Sequence, residues 1–166
     1  MATGRGNQLT KQVGEYLVAA ELCRRDLIAA TFTGNVPHYD IVASNTKGHS
    51  VLIQVTAIKS SSWQFDIRYY ADIVLKGKKQ AFGGKRPQPV ANLICVFVQL
   101  ADYGKDKFFI FPWTKLQSIL IREYRKHLAQ HGGRRPKRFD SFHSMLTPGL
   151  VARYEGNWKL IEVRLK

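Results

Sequence analysis

The segment HYDIVASNTKGHSVLIQVTAIKS, residues 38–60, decides how this chain is read. It holds two apolar, β-branched runs joined by the polar link Asn45-Thr46-Lys47-Gly48-His49, the pattern of a hairpin with a glycine in its turn. Residues 51–58 are apolar on both faces, which predicts a central strand covered from both sides. Gln54 sits inside that run, and Asp40 opens the strand before it. A buried amide needs partners, since an unpaired one costs about 1–3 kcal/mol. Two readings stay open for Gln54: a core side chain bonded to backbone, or an amide that converges with Asp40 on a metal ion.

Upstream, Thr10 fits the N-cap of a helix running to about Asp26. Val13, Tyr16, Leu17, Ala20, Cys23 and Leu27 recur at helical spacing and are expected to form its core face, with Glu15 and Glu21 off that stripe. Glu15 is either a solvated first-turn acid that complements the helix dipole or a side chain turned to the sheet edge where Asp40 emerges.

A helix carrying Gly14-Glu15, an aspartate opening a strand, and Gln54-Val55-Thr56 in the next strand together resemble the PD-(D/E)XK nuclease superfamily. The likeness is to its Holliday-junction-resolvase-like and restriction-endonuclease-like branches, where Gln often replaces the second acid, and it spans residues 12–60. It implies an α/β fold, a restriction-endonuclease-like mixed central sheet flanked by helices. It also implies that Asp40, Gln54 and Glu15 hold Mg²⁺ or Mn²⁺, with oxygen donors suited to such hard cations. The family places a lysine two residues after the Glu or Gln to assist the attacking water; here that position is Thr56. The motif's proline is displaced as well, standing at Pro37 and not beside Asp40. Lys59 is the nearest replacement in sequence, on opposite strand parity unless a bulge intervenes. Lys76, Lys78 and Lys79 follow as cations that could reach in. The catalytic set is therefore expected to be Asp40, Gln54, Glu15 and Lys59. His38 alternates with Asp40 and could share its face as a partner or base, although a histidine beside a turn is more often neither.

The 166 residues suit one nuclease-like domain over 1–166, with residues 1–8 as a flexible basic arm. No apolar run spans a bilayer, and residues 1–11 lack the apolar core of a secretory signal. Cys23 and Cys95 fit buried thiols in a reducing compartment, the cytoplasm, and not a disulfide scaffold. Against 12 Asp+Glu stand 26 Lys+Arg, a net charge of +14, which favours a polyanionic partner over a merely solvated surface.

Basic residues concentrate in two places. Residues 76–89, KGKKQAFGGKRPQP, read as a Gly- and Pro-rich loop bearing Lys76, Lys78, Lys79, Lys85 and Arg86. A helix from Lys115 to about Gln130, capped by Thr114, carries Arg122, Arg125 and Lys126 opposite an apolar face of Leu116, Ile119, Leu120, Tyr124 and Leu128. Its charge continues through Arg134, Arg135, Lys137 and Arg138. These twelve residues are the expected phosphate contacts, though a basic helix face can also be plain solvated surface. Residues 27–33, 63–65, 92–100 and 108–111 read as strands, residues 67–75 as a short helix or irregular cover, and residues 139–154 as helix-like in spacing but broken at Pro148-Gly149.

The sequence thus points to a metal-dependent DNA endonuclease that hydrolyses phosphodiester bonds. The alternative is a catalytically impaired, nuclease-like protein that only binds nucleic acid; an RNA- or ribosome-associated basic protein without a site is a third class. A homodimer would suit an enzyme that cuts two strands.

Overall fold

The computed structural model describes residues 4–32 and 37–166. In chain order its elements are α1 (Gly4–Cys23), β1 (Ile28–Thr31), β2 (Ile41–Ser44), β3 (Ser50–Ile58), β4 (Trp63–Asp66), a 3-10 turn (Ile67–Tyr69), β5 (Ala71–Lys76) and β6 (Lys79–Lys85). There follow β7 (Ile94–Gln99), β8 (Lys107–Pro112), α2 (Trp113–Gln130), β9 (His143–Leu146), α3 (Pro148–Val151), a second 3-10 turn (Ala152–Tyr154) and α4 (Lys159–Arg164).

The hairpin at the centre forms as read. β2 and β3 pair antiparallel with Ile41 opposite Ile53. Asn45 Oδ1 closes the link by accepting the N–H groups of Lys47 and His49, both at 3.0 Å. Gly48 takes φ +84°, a left-handed turn that only glycine adopts freely. β3 is the middle of a five-stranded sheet ordered β1-β2-β3-β7-β8, parallel to β7 and antiparallel to β2. The mixed sheet flanked by helices is the architecture expected.

Both faces of the sheet are buried, and strand alternation divides them. Ile41, Ile53, Val55, Ile94 and Val96 pack with Val18 and Leu22 of α1, with Trp158 just before α4 and with Ile161 within it. Cys95, Phe97, Phe109 and Phe111 pack on the other side against Leu116, Leu120 and Tyr124 of α2 and against Trp63 and Leu146, from the small β4–β9 sheet.

Several local expectations are corrected. Residues 4–8 of the supposed arm are the first turns of α1, and residues 1–3 lie outside the described residues. Thr10 is inside the helix, its hydroxyl donating back to Gly6 O at 2.9 Å. The packed face of α1 is Gly14, Val18 and Leu22, so Val13, Tyr16 and Cys23 are exposed. The helix carries two stripes with apolar residues, and bulk favours the wrong one; close packing on β3 selects the stripe with glycine. Pro112, not Thr114, precedes the first residue of α2. Residues 67–75 become a 3-10 turn and β5, and residues 76–85 are not a loop, because β5 and β6 form a hairpin turning at Gly77-Lys78. Within residues 139–154, His143–Leu146 is the strand β9, paired with β4. Of the turn expected at 34–37, residues 34–36 lie outside the described residues.

Gly14 permits the close approach of α1 to the sheet: a Cβ there would stand 2.4 Å from Ala57 Cβ. Gly14→Ala should therefore lower stability in urea unfolding. Overpacking costs about 1–3 kcal/mol, against a helix-propensity gain of about 0.8–1.0 kcal/mol. In an Ala57→Gly background the loss should shrink or reverse. A stabilised Gly14→Ala single variant would disprove the contact.

Candidate functional site

Asp40 stands one residue before β2. Its backbone N–H donates to Ile53 O at 2.8 Å, and its Oδ2 accepts the Val55 N–H at 2.8 Å. The carboxylate is thus fixed against β3 through backbone that a strand partner would otherwise use. The β2–β3 register, continued by one residue, sets Asp40 opposite Gln54.

Glu15 comes from α1. It lies on the face of the helix that packs, one turn before Val18, which reverses its expected position off the core stripe. Its side chain and that of Asp40 are each only 15% exposed, and the ammonium of Lys11 bridges their carboxylates, 3.4 Å from Glu15 Oε1 and 3.1 Å from Asp40 Oδ1. Burial, and then the charge of Asp40, hold the Glu15 carboxyl above the usual carboxylate range, with Lys11 offsetting part of this. Burial works against the charge on Lys11, but its hydrogen bond to Asp40 and the two negative charges outweigh burial and raise its pKa. Sequence reasoning missed Lys11. The available signal was its i, i+4 spacing to Glu15 on the stripe that continues to Val18 and Leu22.

Gln54 occupies the central strand as expected, flanked by β2 and β7. It belongs with Leu52 and Ile58, which pack toward α2, and its Oε1 accepts the Cys95 thiol at 4.0 Å. Burial drives that thiol's pKa far upward, so the thiol stays protonated as a donor. Thr56 alternates onto the same face. Lys59 lies beyond the end of β3 and is exposed, and His38 is exposed with φ +77°. The stem of Lys79 packs beside Gly133.

Among the described residues no three His, Cys, Asp or Glu side chains come together as a metal cage. Two carboxylates suffice for Mg²⁺, which keeps several waters and commonly takes one or two carboxylates plus substrate phosphate. Glu15 and Asp40, whose carboxylates share the ammonium of Lys11, are two side chains that could hold such an ion.

The basic segments are brought together by two buried glutamines. Gln80 of β6 donates to Phe139 O at 2.5 Å and Ser141 O at 3.0 Å, accepts from the Tyr124 hydroxyl, and its N–H donates to Gly133 O at 2.7 Å. Gln117 of α2 donates to Tyr70 O at 2.8 Å and Arg86 O at 2.7 Å. The hairpin, α2 and the loop after it are thereby tied into one surface. Lys85, Arg122, Arg125 and Lys126 line a groove of about 530 Å³ there, with Arg125 over the Phe82 ring at 5.3 Å. Lys76, Lys78, Lys79, Arg86, Arg134, Lys137 and Arg138 are exposed; Arg86 pairs with Asp72 and Arg138 with Asp140, while Arg135 is half-buried.

No protein-family model matches this chain, and no curated protein does. Among solved structures it is similar to a bacterial homing endonuclease, I-Ssp6803I, at 13% identity and a TM-score of 0.41, over 67% of this chain and 72% of that one. No described helix is long and apolar enough to cross a membrane.

The raised pKa of Glu15 predicts a pH dependence in metal-free buffer. The folded state holds that proton more tightly than the unfolded chain, so the stabilisation is complete below the unfolded value near 4.5 and is lost as pH rises through the higher folded value. Glu15→Gln cannot ionise. Its melting temperature relative to wild type should therefore increase between pH 4 and pH 7 in EDTA. A difference that stays flat or falls over that range would contradict the assigned environment.

Proposed function

We propose that this protein is a metal-dependent DNA endonuclease of the PD-(D/E)XK type, with Glu15 and Asp40 as the charged ligands of Mg²⁺ or Mn²⁺. The observation that carries the reading is the meeting of these two carboxylates, one from α1 and one from the opening of β2, beside the central strand that bears Gln54. When bound, the ion would polarise the scissile phosphate and lower the pKa of a coordinated water. Asp40, anchored through Oδ2 on the Val55 N–H, would offer its Oδ1 to the ion. Glu15 supplies the second negative charge. Gln54, opposite Asp40 in the strand register, would add a neutral amide oxygen by turning its Oε1 from the Cys95 thiol. The partner is DNA, attracted by the +14 surface and held at the groove between β6 and α2.

A binding-only reading has its own support. Thr56 stands where the family keeps its lysine, and Lys11 closes the two carboxylates into an ion-pair cluster.

Nicking of supercoiled, branched and linear DNA with Mg²⁺ or Mn²⁺ separates the two. Asp40→Ala should abolish cleavage and leave DNA affinity nearly intact, since affinity comes from Lys and Arg elsewhere. Equal background products from wild type and Asp40→Ala, on all substrates and with both metals, would leave the binding-only reading.

The binding surface has a separate test. Replacing Arg134, Arg135, Lys137 and Arg138 together by Ala should weaken DNA binding irrespective of sequence. Each lost phosphate contact should lower the log–log salt slope by about 0.9. Unchanged affinity and slope would remove the loop after α2 from the contact surface.

A further inference from the structure

Within the nuclease reading, on which this inference rests, strand β3 offers the site no lysine of its own at position 56. Thr56 can donate a hydrogen bond but holds no charge. Lys59 is exposed beyond the end of β3, and Lys79 lies beside Gly133, past the end of α2. Among the described residues, the cation paired with both Asp40 and Glu15 is Lys11.

We infer that Lys11, delivered by the N-terminal half of α1, supplies the positive charge that strand β3 lacks: its ammonium orients the attacking water and balances charge growing on the phosphate. The placement follows from the helix. Lys11 and Glu15 are four residues apart on the stripe that continues to Val18 and Leu22, and that stripe is pinned to the sheet by Gly14 against Ala57. Backbone packing therefore sets how far the lysine stands from Asp40. Its side chain is 54% exposed, and its flexible four-carbon stem lets the ammonium turn from the carboxylates to a phosphate oxygen without moving α1.

In the hydrolysis, the water oxygen forms a bond to phosphorus as the bond from phosphorus to the leaving oxygen breaks. The water gives one proton to solvent, and the leaving oxygen takes one up. Lys11 stays protonated throughout and acts by charge and hydrogen bonding alone.

Lys11→Met and Lys11→Arg test this, with Mn²⁺ titrated calorimetrically into DNA-free protein and nicking measured alongside. Lys11→Met should fall about 10²–10³-fold in cleavage, the usual loss for one donor at developing charge, with Lys11→Arg intermediate. The same Lys11→Met protein should bind Mn²⁺ about 2–5-fold more tightly, because a competing cation of exposed-pair strength is gone. A Lys11→Met protein that nicks at the wild-type rate overturns the inference and leaves the nuclease reading standing. Loss of Mn²⁺ binding in Lys11→Met also overturns it, making Lys11 a structural prop of the carboxylates. Wild-type protein that neither binds Mn²⁺ nor nicks DNA removes the nuclease reading, and this inference with it.

Discussion

The approach of α1 to the central strand is the constraint on which the candidate site depends. At Gly14 there is no room for a side chain, because a Cβ would meet Ala57 at 2.4 Å. That contact fixes the helix in both height and rotation. Rotation decides which residues face the sheet, and with Gly14 inward the flanking positions Lys11 and Glu15 fall where Asp40 emerges. A bulkier residue at position 14 would lift the helix and separate Glu15 from Asp40. The meeting of the two carboxylates is therefore set by a residue that has no side chain of its own.

A second constraint acts on the other face. The β5–β6 hairpin is a two-stranded sheet with exposed Val74, Leu75 and Phe82, and such a ribbon has little stability alone. Gln80 and Gln117 hold it to α2 and to the loop after that helix through backbone carbonyls. Buried amides satisfied in this way specify a unique arrangement, since any shift leaves several polar groups unpaired. The positive φ of Gly132 and Gly133 turns the chain after α2, bringing Gly133 O onto the Gln80 N–H. The dense positive charge of this region opposes its own assembly. Hydrogen bonds and aromatic faces, including Tyr124 beneath Arg135, hold the cations close together.

What could be read in the sequence follows from how local each signal is. The β2–β3 hairpin was legible because Asn45 and Gly48 set the turn within five residues, and β-branched runs flank it. The buried strand β7 and the apolar face of α2 were legible for the same reason. The packed face of α1 was not: Val13, Tyr16 and Cys23 are bulkier than Gly14, and only the partner surface on β3 tells which stripe must be small. The β5–β6 hairpin was hidden because its lysines and glycines imitate a loop, while Gln80, which anchors it, finds its partners more than forty residues away. Asp40, Gln54 and Glu15 stood out as candidates by order and type. Lys11 was not, since its pairing with Asp40 spans the turn from α1 into the sheet.

Charge arithmetic connects the two faces. Glu15 and Asp40 carry two negative charges in a chain of net charge +14, and each is mostly removed from water. One ammonium between them neutralises only one charge, and Glu15 shows the remainder as a carboxyl reluctant to ionise. Gln54, a neutral amide, adds nothing to that excess. A neutral amide is tolerated in the central strand beside Cys95, within a face of Phe97 and Trp63, where another carboxylate would face a large desolvation cost. The cation that offsets the pair sits on α1, in reach of both carboxylates and half open to solvent.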